Sequence, residues 1–193
     1  MNFLRKYWLK WNVRQAATGD VSAMNRLYLV GDPWKLDTTT EHFRFRETVR
    51  IIREKIADHF GNILEIGSGE GLQTSYLAPL ADRVVGLDPS AQAAMRANAR
   101  KIPNASFVVS DFNRFVNRSN EPFDLVTACE VLYYMPDIGQ AYEKLNNLGR
   151  NCLITYYQGE FERLDKYFAD KNVHSEIIAC RACQWRVVYW KQS

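Results

Sequence analysis

The sequence predicts an α/β fold: a doubly wound, mostly parallel sheet that ends in an antiparallel hairpin and is preceded by a helical extension. Three observations carry this. Short β-branched runs alternate with helix-like stretches from residue 62 to residue 170. Two further apolar runs, at 175–180 and 185–191, have too little chain between them for a crossover helix, so they pair antiparallel. Three glycines also crowd the end of the first run, Ile63-Leu64-Glu65-Ile66-Gly67-Ser68-Gly69-Glu70-Gly71. In doubly wound sheets that first strand–helix turn lies where ligands bind.

The elements follow in order. In the first thirty residues Phe3, Leu4, Tyr7, Trp8, Trp11 and Gln15 fall at helical spacing, with Arg5, Lys6, Lys10 and Arg14 between them. Such a helix suits a membrane surface, but packing on its own domain or on a sister subunit is favoured. A short second helix through Val21, Met24, Leu27 and Tyr28 stops at Gly31-Asp32-Pro33. Phe45, Val49, Ile52, Ile56 and Phe60 then recur at three and four, predicting a long helix over 41–60 with Gly61 as its stop. Strands are expected at 62–67, 83–88, 105–110, 123–129 and 151–157, and helices at 71–80, 90–101, 137–148 and 160–170. With the closing pair, the sheet has seven strands. Residues 1–40 form a helical extension or lid, and 41–193 one ligand-binding domain.

Composition excludes several classes. The 193 residues favour one domain, and 47% hydrophobic with 24% charged residues rules out disorder for most of the chain. A net charge of +3 makes no case for nucleic acid. No apolar run is long enough for stable membrane insertion, and no secretory leader is evident, so a cytoplasmic protein with reduced thiols is expected. Cys180-x-x-Cys183 lacks a second pair or a nearby histidine, so it reads as two thiols near a strand end rather than half a zinc site. No clustered acids or histidines suggest a metal.

The glycine spacing narrows the ligand. A dinucleotide fingerprint needs Gly-x-Gly-x-x-Gly, but here the third glycine comes one residue early, which disfavours a nicotinamide oxidoreductase. A P-loop would need Gly-Lys-Ser/Thr, which is absent. A ligand without phosphates is the better fit. The second strand ends in Asp88, and an acid there can accept from both hydroxyls of a ribose. The third leads into Asp111-Phe112, a carboxylate for an adenine amino group and an aromatic for the ring face. A lone Asp at a strand end is more often a helix cap. Three such ends in succession favour an adenosine pocket.

Glu65-Ile66-Gly67-Ser68-Gly69-Glu70-Gly71, Gly86-Leu87-Asp88-Pro89-Ser90 and Ser110-Asp111-Phe112 together resemble a class I S-adenosylmethionine (SAM)-dependent methyltransferase over roughly residues 41–193. Asp32-Pro33-Trp34 and Cys129-Glu130-Val131-Leu132-Tyr133-Tyr134-Met135 are similar to the nodulation N-methyltransferases, which methylate the free amine of a chitooligosaccharide. The resemblance implies a Rossmann-like sheet and SAM as cofactor, released as S-adenosylhomocysteine (SAH). It implies that Gly67, Ser68, Gly69 and Gly71 let the methionyl and ribose parts lie against the backbone. Glu65 would brace the loop and attract the cationic end of SAM, and Asp88, Pro89, Asp111 and Phe112 would hold the adenosine. Trp34 would cover the cofactor. Of Arg44 and Arg46 on the following helix, Arg46 is assigned to the methionyl carboxylate, against a reading as a solvated basic face.

The sulfonium is itself an excellent leaving group, so the protein mainly positions the acceptor. A neutral amine needs no base in the transition state; a hydroxyl does. Glu130 and Tyr134 are the candidate catalytic residues, the first for a proton or an ammonium, the second as an aromatic wall for a cation. The expected activity is N-methylation of a small molecule or saccharide. The rivals are O-methylation and a non-catalytic SAM-binding or partner domain, and a homodimer through the N-terminal helix is a further expectation.

Overall fold

The computed structural model describes residues 8, 11–13, 15, 20–116, 122–181 and 183–192. Among the described residues the predicted strands and helices are present. Helix α1 (Val21–Leu27) and helix α2 (Thr39–Lys55) precede the sheet. Then come β1 (Phe60–Ile66), α3 (Thr74–Leu77), β2 (Ala81–Asp88), α4 (Ala91–Ala99), β3 (Ala105–Val109) and α5 (Phe112–Val116). The rest is β4 (Phe123–Cys129), α6 (Ile138–Leu148), β5 (Gly149–Tyr157), α7 (Phe161–Phe168), β6 (His174–Cys180) and β7 (Cys183–Lys191).

The seven strands lie in the order β3-β2-β1-β4-β5-β7-β6. The first five are parallel, and β7 runs antiparallel between β5 and β6. Strand order reverses between β1 and β4, which opens a crevice above their carboxyl ends. Alternation along β1 sorts the core. Leu64 and Ile66 face one layer with Tyr142 and Leu145 of α6 and Leu164 and Phe168 of α7. Ile63 faces the other with Ile51 and Ile52 of α2 and Leu77 of α3.

Helix starts follow their caps. Thr38 accepts from the Glu41 N–H, Ser90 from Ala93 and Asp137 from Gln140, each a side-chain oxygen on an otherwise orphaned donor. One boundary differs from the sequence reading. Helix α2 ends at Lys55, and Phe60 is not on it: Phe60 opens β1 opposite Ala81, and Gly61 lies inside the strand. Phe60 falls in phase with the helix stripe only because it is buried in the same layer, beside Ile51 and Ile52.

Of the N-terminal segment, Trp8, Trp11–Val13 and Gln15 are helical, while Phe3, Leu4, Tyr7, Arg5, Lys6, Lys10 and Arg14 lie outside the described residues. Asn12 is fully buried and its Oδ1 accepts from Arg26 Nε at 2.8 Å, while Val13 packs on Ala23 and Leu27. These described residues pack on α1. Among the described residues no helix is long and apolar enough to cross a membrane.

Candidate functional site

A cavity of about 590 Å³ opens above the switch point. The end of β1 forms its floor. Gly67, Gly69 and Gly71 all have positive φ, between 52° and 75°, so the loop turns in a way L side chains resist. A Cβ on Gly67 would lie 2.2 Å from Val131 Cγ2, so this glycine lets the loop after β4 close over the loop after β1. Gly71 serves differently from its sequence assignment. It does not line the cavity: it sits behind the loop, where a Cβ would meet Phe107 and Ala97 at 3.0 and 3.1 Å. Its job is to seat α4 and β3 against the turn.

Glu65 is 3% exposed and accepts from the Thr74 hydroxyl. Burial pushes its carboxyl up to about 8, opposed by that hydrogen bond and by the Arg44 charge. Asp88 accepts from the Gly69 N–H at 3.0 Å and from the Ser90 N–H at 2.8 Å, which ties the first loop to the second strand end. Burial raises its carboxyl to about 6, against the pull of those two bonds. Pro89 and Phe112 line the same wall. Asp111 also lines it but is exposed, and its Oδ1 caps α5 by accepting from the Arg114 N–H at 2.9 Å.

The assignment to Arg46 is corrected. Arg46 is exposed and does not reach the cavity. Arg44, two residues and about 200° earlier around the helix, is 2% exposed and lines it. Arg44 Nε donates to Glu41 at 2.8 Å and Nη1 to Gln73 Oε1 at 3.0 Å. Gln73 Nε2, buried, has nothing better than the Cys129 sulfur beside it, and the Ser68 hydroxyl, also buried, has no partner. Two unsatisfied polar groups on one cavity wall are poised for a polar ligand. Sequence reasoning missed Gln73, although its place in the first turn after the glycine loop was a signal. Position 44 could have been found too, since with 48, 51 and 52 it falls on the buried stripe of α2.

Glu130 stands at the end of β4 with φ +59°, a left-handed conformation that non-glycine residues adopt mainly under constraint. Its carboxylate accepts from Thr155 Oγ1 at 2.9 Å and from the Tyr133 hydroxyl at 3.0 Å. Burial raises its pKa, opposed first by Arg44. Tyr134 faces the same space, 4.6 Å from the Tyr133 ring and 5.6 Å from Trp34, centroid to centroid.

Trp34 lies in the segment 28–37, which borders the cavity at Tyr28, Trp34 and Leu36 and is called the lid below. Asp32, at φ +48°, accepts from the Leu36 and Asp37 N–H groups and holds the turn that carries Trp34. Trp34 Nε1 donates to the Tyr28 hydroxyl at 3.1 Å, and Tyr28, missed in the sequence as a mere helix position, lies over Gly69. Arg96 of α4 ties the lid down, donating to Val30 O at 3.0 Å and to Glu70.

A family model for nodulation protein S, NodS, matches residues 17–154. The chain belongs to the NodS family. NodS proteins of Bradyrhizobium diazoefficiens and Rhizobium tropici are each 35% identical to it, over 65% and 66% of this chain. The aligned stretch spans 59% and 53% of those relatives' own lengths. The crystal structure of the N-methyltransferase NodS from Bradyrhizobium japonicum WM9 in complex with SAH shares the fold at a TM-score of 0.70, with 20% identity over 91% of this chain and 98% of that one. The NodS match covers the lid, the glycine loop and the Glu130 turn, and stops before α7 and the β6–β7 hairpin.

Proposed function

We propose that this protein is a SAM-dependent methyltransferase that transfers the methyl group to nitrogen on a small-molecule or saccharide acceptor. The observation that carries the reading is one continuous cavity joining the ends of β1, β2, β3 and β4, with a different kind of group at each. Family membership supports it. SAM supplies the methyl on a sulfonium leaving group.

The residues fit such a ligand. Asp88 is placed to accept from the ribose hydroxyls, and Asp111 and Phe112 to take the adenine. The buried Gln73 Nε2 and Ser68 Oγ, with Arg44 beside them, are donors without a sufficient acceptor and suit the methionyl carboxylate. Once ionised, Glu65 sets a negative field beneath the sulfonium, whose charge in turn favours that ionised form. Trp34 and Tyr134 form the aromatic wall that keeps water from the transfer line.

Calorimetric titration with SAM, SAH and NAD in parallel tests the reading. Micromolar binding of the first two and none of NAD is expected. Binding of NAD alone overturns it.

A further inference from the structure

The four cysteines are of two kinds. Cys129 and Cys152 are buried in the sheet, and burial pushes their thiols up to about 11 and about 12. Such thiols are inert toward outside reagents. Cys180 and Cys183 are half-buried at the tip of the closing hairpin, where β6 ends and β7 begins. They stand opposite each other in the antiparallel register, as the last pair before the chain turns. Opposed residues in such a ladder hold their Cα atoms about 4.5–5.5 Å apart, inside the roughly 4.4–6.8 Å that a disulfide spans. The Cys183 thiol is hydrogen-bonded to Cys180, so the two sulfurs already meet. No backbone movement is needed to join them.

The tip is held in place from behind. Ile178 and Trp185 anchor its two strands in the core, and the Gln184 N–H donates to Gln158 Oε1 at 3.0 Å. Trp185 pairs with Tyr157, the last residue of β5, so Cys183 lies two residues beyond it, about 7 Å at the rise of a strand. The pair therefore stands at the ligand end of the sheet. Glu41, on the cavity wall, is near enough for its charge to act on the Cys183 thiol. Two sulfurs are too few ligands for a closed zinc site. Among the described residues no group of three or more His, Cys, Asp or Glu could hold a metal.

We propose that Cys180 and Cys183 form a reversible dithiol–disulfide pair, oxidised by a low-molecular-weight disulfide of the glutathione type. The pair lies beyond residue 154, where the NodS match stops, and does not depend on the methyltransferase reading. Burial first and then the neighbouring sulfur hold the Cys183 thiol above its ordinary value, which makes it the poorer first attacker. Cys180, as thiolate, attacks one sulfur of the oxidant. The oxidant's S–S bond breaks, and one small thiolate leaves. Cys183 then attacks the mixed disulfide at Cys180 Sγ, the Sγ–Sγ bond forms, and the second small thiol leaves. The protein pair loses two electrons and the oxidant gains them, while the two cysteine protons end on the two released thiols. The second step joins groups already in contact, so the mixed disulfide does not accumulate. The closed loop is short, so the bridge constrains the unfolded chain little and adds little stability. That suits a bond that reopens when thiol outweighs disulfide.

The test equilibrates the full chain in glutathione buffers running from fully reduced to fully oxidised. Samples are quenched in acid, alkylated with N-ethylmaleimide and mapped by mass spectrometry. In oxidised buffer Cys180 and Cys183 are expected to lose all labelling and to appear bridged within one chain. Dithiothreitol should restore both labels. Cys183→Ser is expected to keep one glutathione on Cys180 instead. If both cysteines stay labelled in oxidised buffer, if the wild-type chain stops as a glutathione adduct, or if the bridge joins two chains, the proposal is overturned. A bridge that forms only once Cys129 and Cys152 also react overturns it too, because it reports the unfolded chain. The wild-type measurement decides even if the variant does not fold.

Discussion

Asp88 accepts one backbone N–H on each carboxylate oxygen and still presents that group to the cavity. Asp88→Ala therefore removes a ligand contact and strands two buried donors. Its affinity for SAM should fall by about 1.5–3 kcal/mol, roughly ten- to a hundred-fold, and its melting temperature should drop as well. Calorimetry and thermal unfolding read the two effects separately, and unchanged affinity would remove Asp88 from the ribose. The two shifted acids also set a pH dependence. Glu65 and Asp88 have folded pKa values raised to about 8 and about 6, so their charged forms are penalised in the fold. Affinity for cationic SAM should rise with pH across that window as the carboxylates ionise, and affinity for uncharged-sulfur SAH should rise less. Equal slopes for the two ligands would sink the role given to Glu65. At this scale the sequence was partly legible. Glu65, Asp88 and Glu130 could be placed because each lies within one residue of a strand's end, and strand ends are visible as the limit of a β-branched run. Arg44 is hard to tell from Arg46 in the sequence because a stripe through Phe45, Val49 and Ile52 leaves both beside it, and two neighbouring stripes share the buried face of α2.

The glycine loop, the Glu130 turn and the lid act as fitted elements. Gly67→Ala meets both a positive φ, costing about 1–2 kcal/mol, and a methyl-to-methyl clash with Val131. Adding Val131→Ala should recover part of the lost thermal stability but not all, because only the clash is relieved. Full recovery would show that the backbone conformation contributes nothing. The lid makes a separate prediction. Arg96→Ala removes donors to Val30 O and Glu70 without touching the cavity lining. It should speed SAH dissociation in a stopped-flow trace of Trp34 fluorescence, by several-fold, while leaving the adenine contacts in place. The lid was legible as Asp32-Pro33-Trp34, a turn signal next to an aromatic. Tyr28 was not, because nothing local tells a packed helix tyrosine from one whose hydroxyl meets a loop forty residues on.

Over the whole molecule, the layered sheet was readable because periodicity reports burial, and both faces of β1 are buried by helices. What the pattern could not separate was Phe60 from the helix before it, since both contribute to one layer. The same buried acids shape global stability. A carboxyl with a raised folded pKa binds more protons folded than unfolded, so the stability contributed by Glu65 and Asp88 in the unliganded protein is fully present below about pH 4 and is lost as the pH rises through about 6 and about 8. Chemical denaturation across that range checks the sign. Saturating ligand should offset the loss. SAH at a hundred times its dissociation constant adds about 2.7 kcal/mol, or roughly 5–10 °C in a chain of this size, and NAD should add nothing. The tether at Glu70 has a kinetic consequence. Glu70 stands between two of the loop glycines, and its carboxylate takes Arg96 and the Asp32 N–H, so the cofactor floor and its roof are fastened at one residue. Loosening either one at Glu70 should therefore loosen the other. Exit of the spent cofactor should then require this fastening to open, which would make it the slow step of turnover.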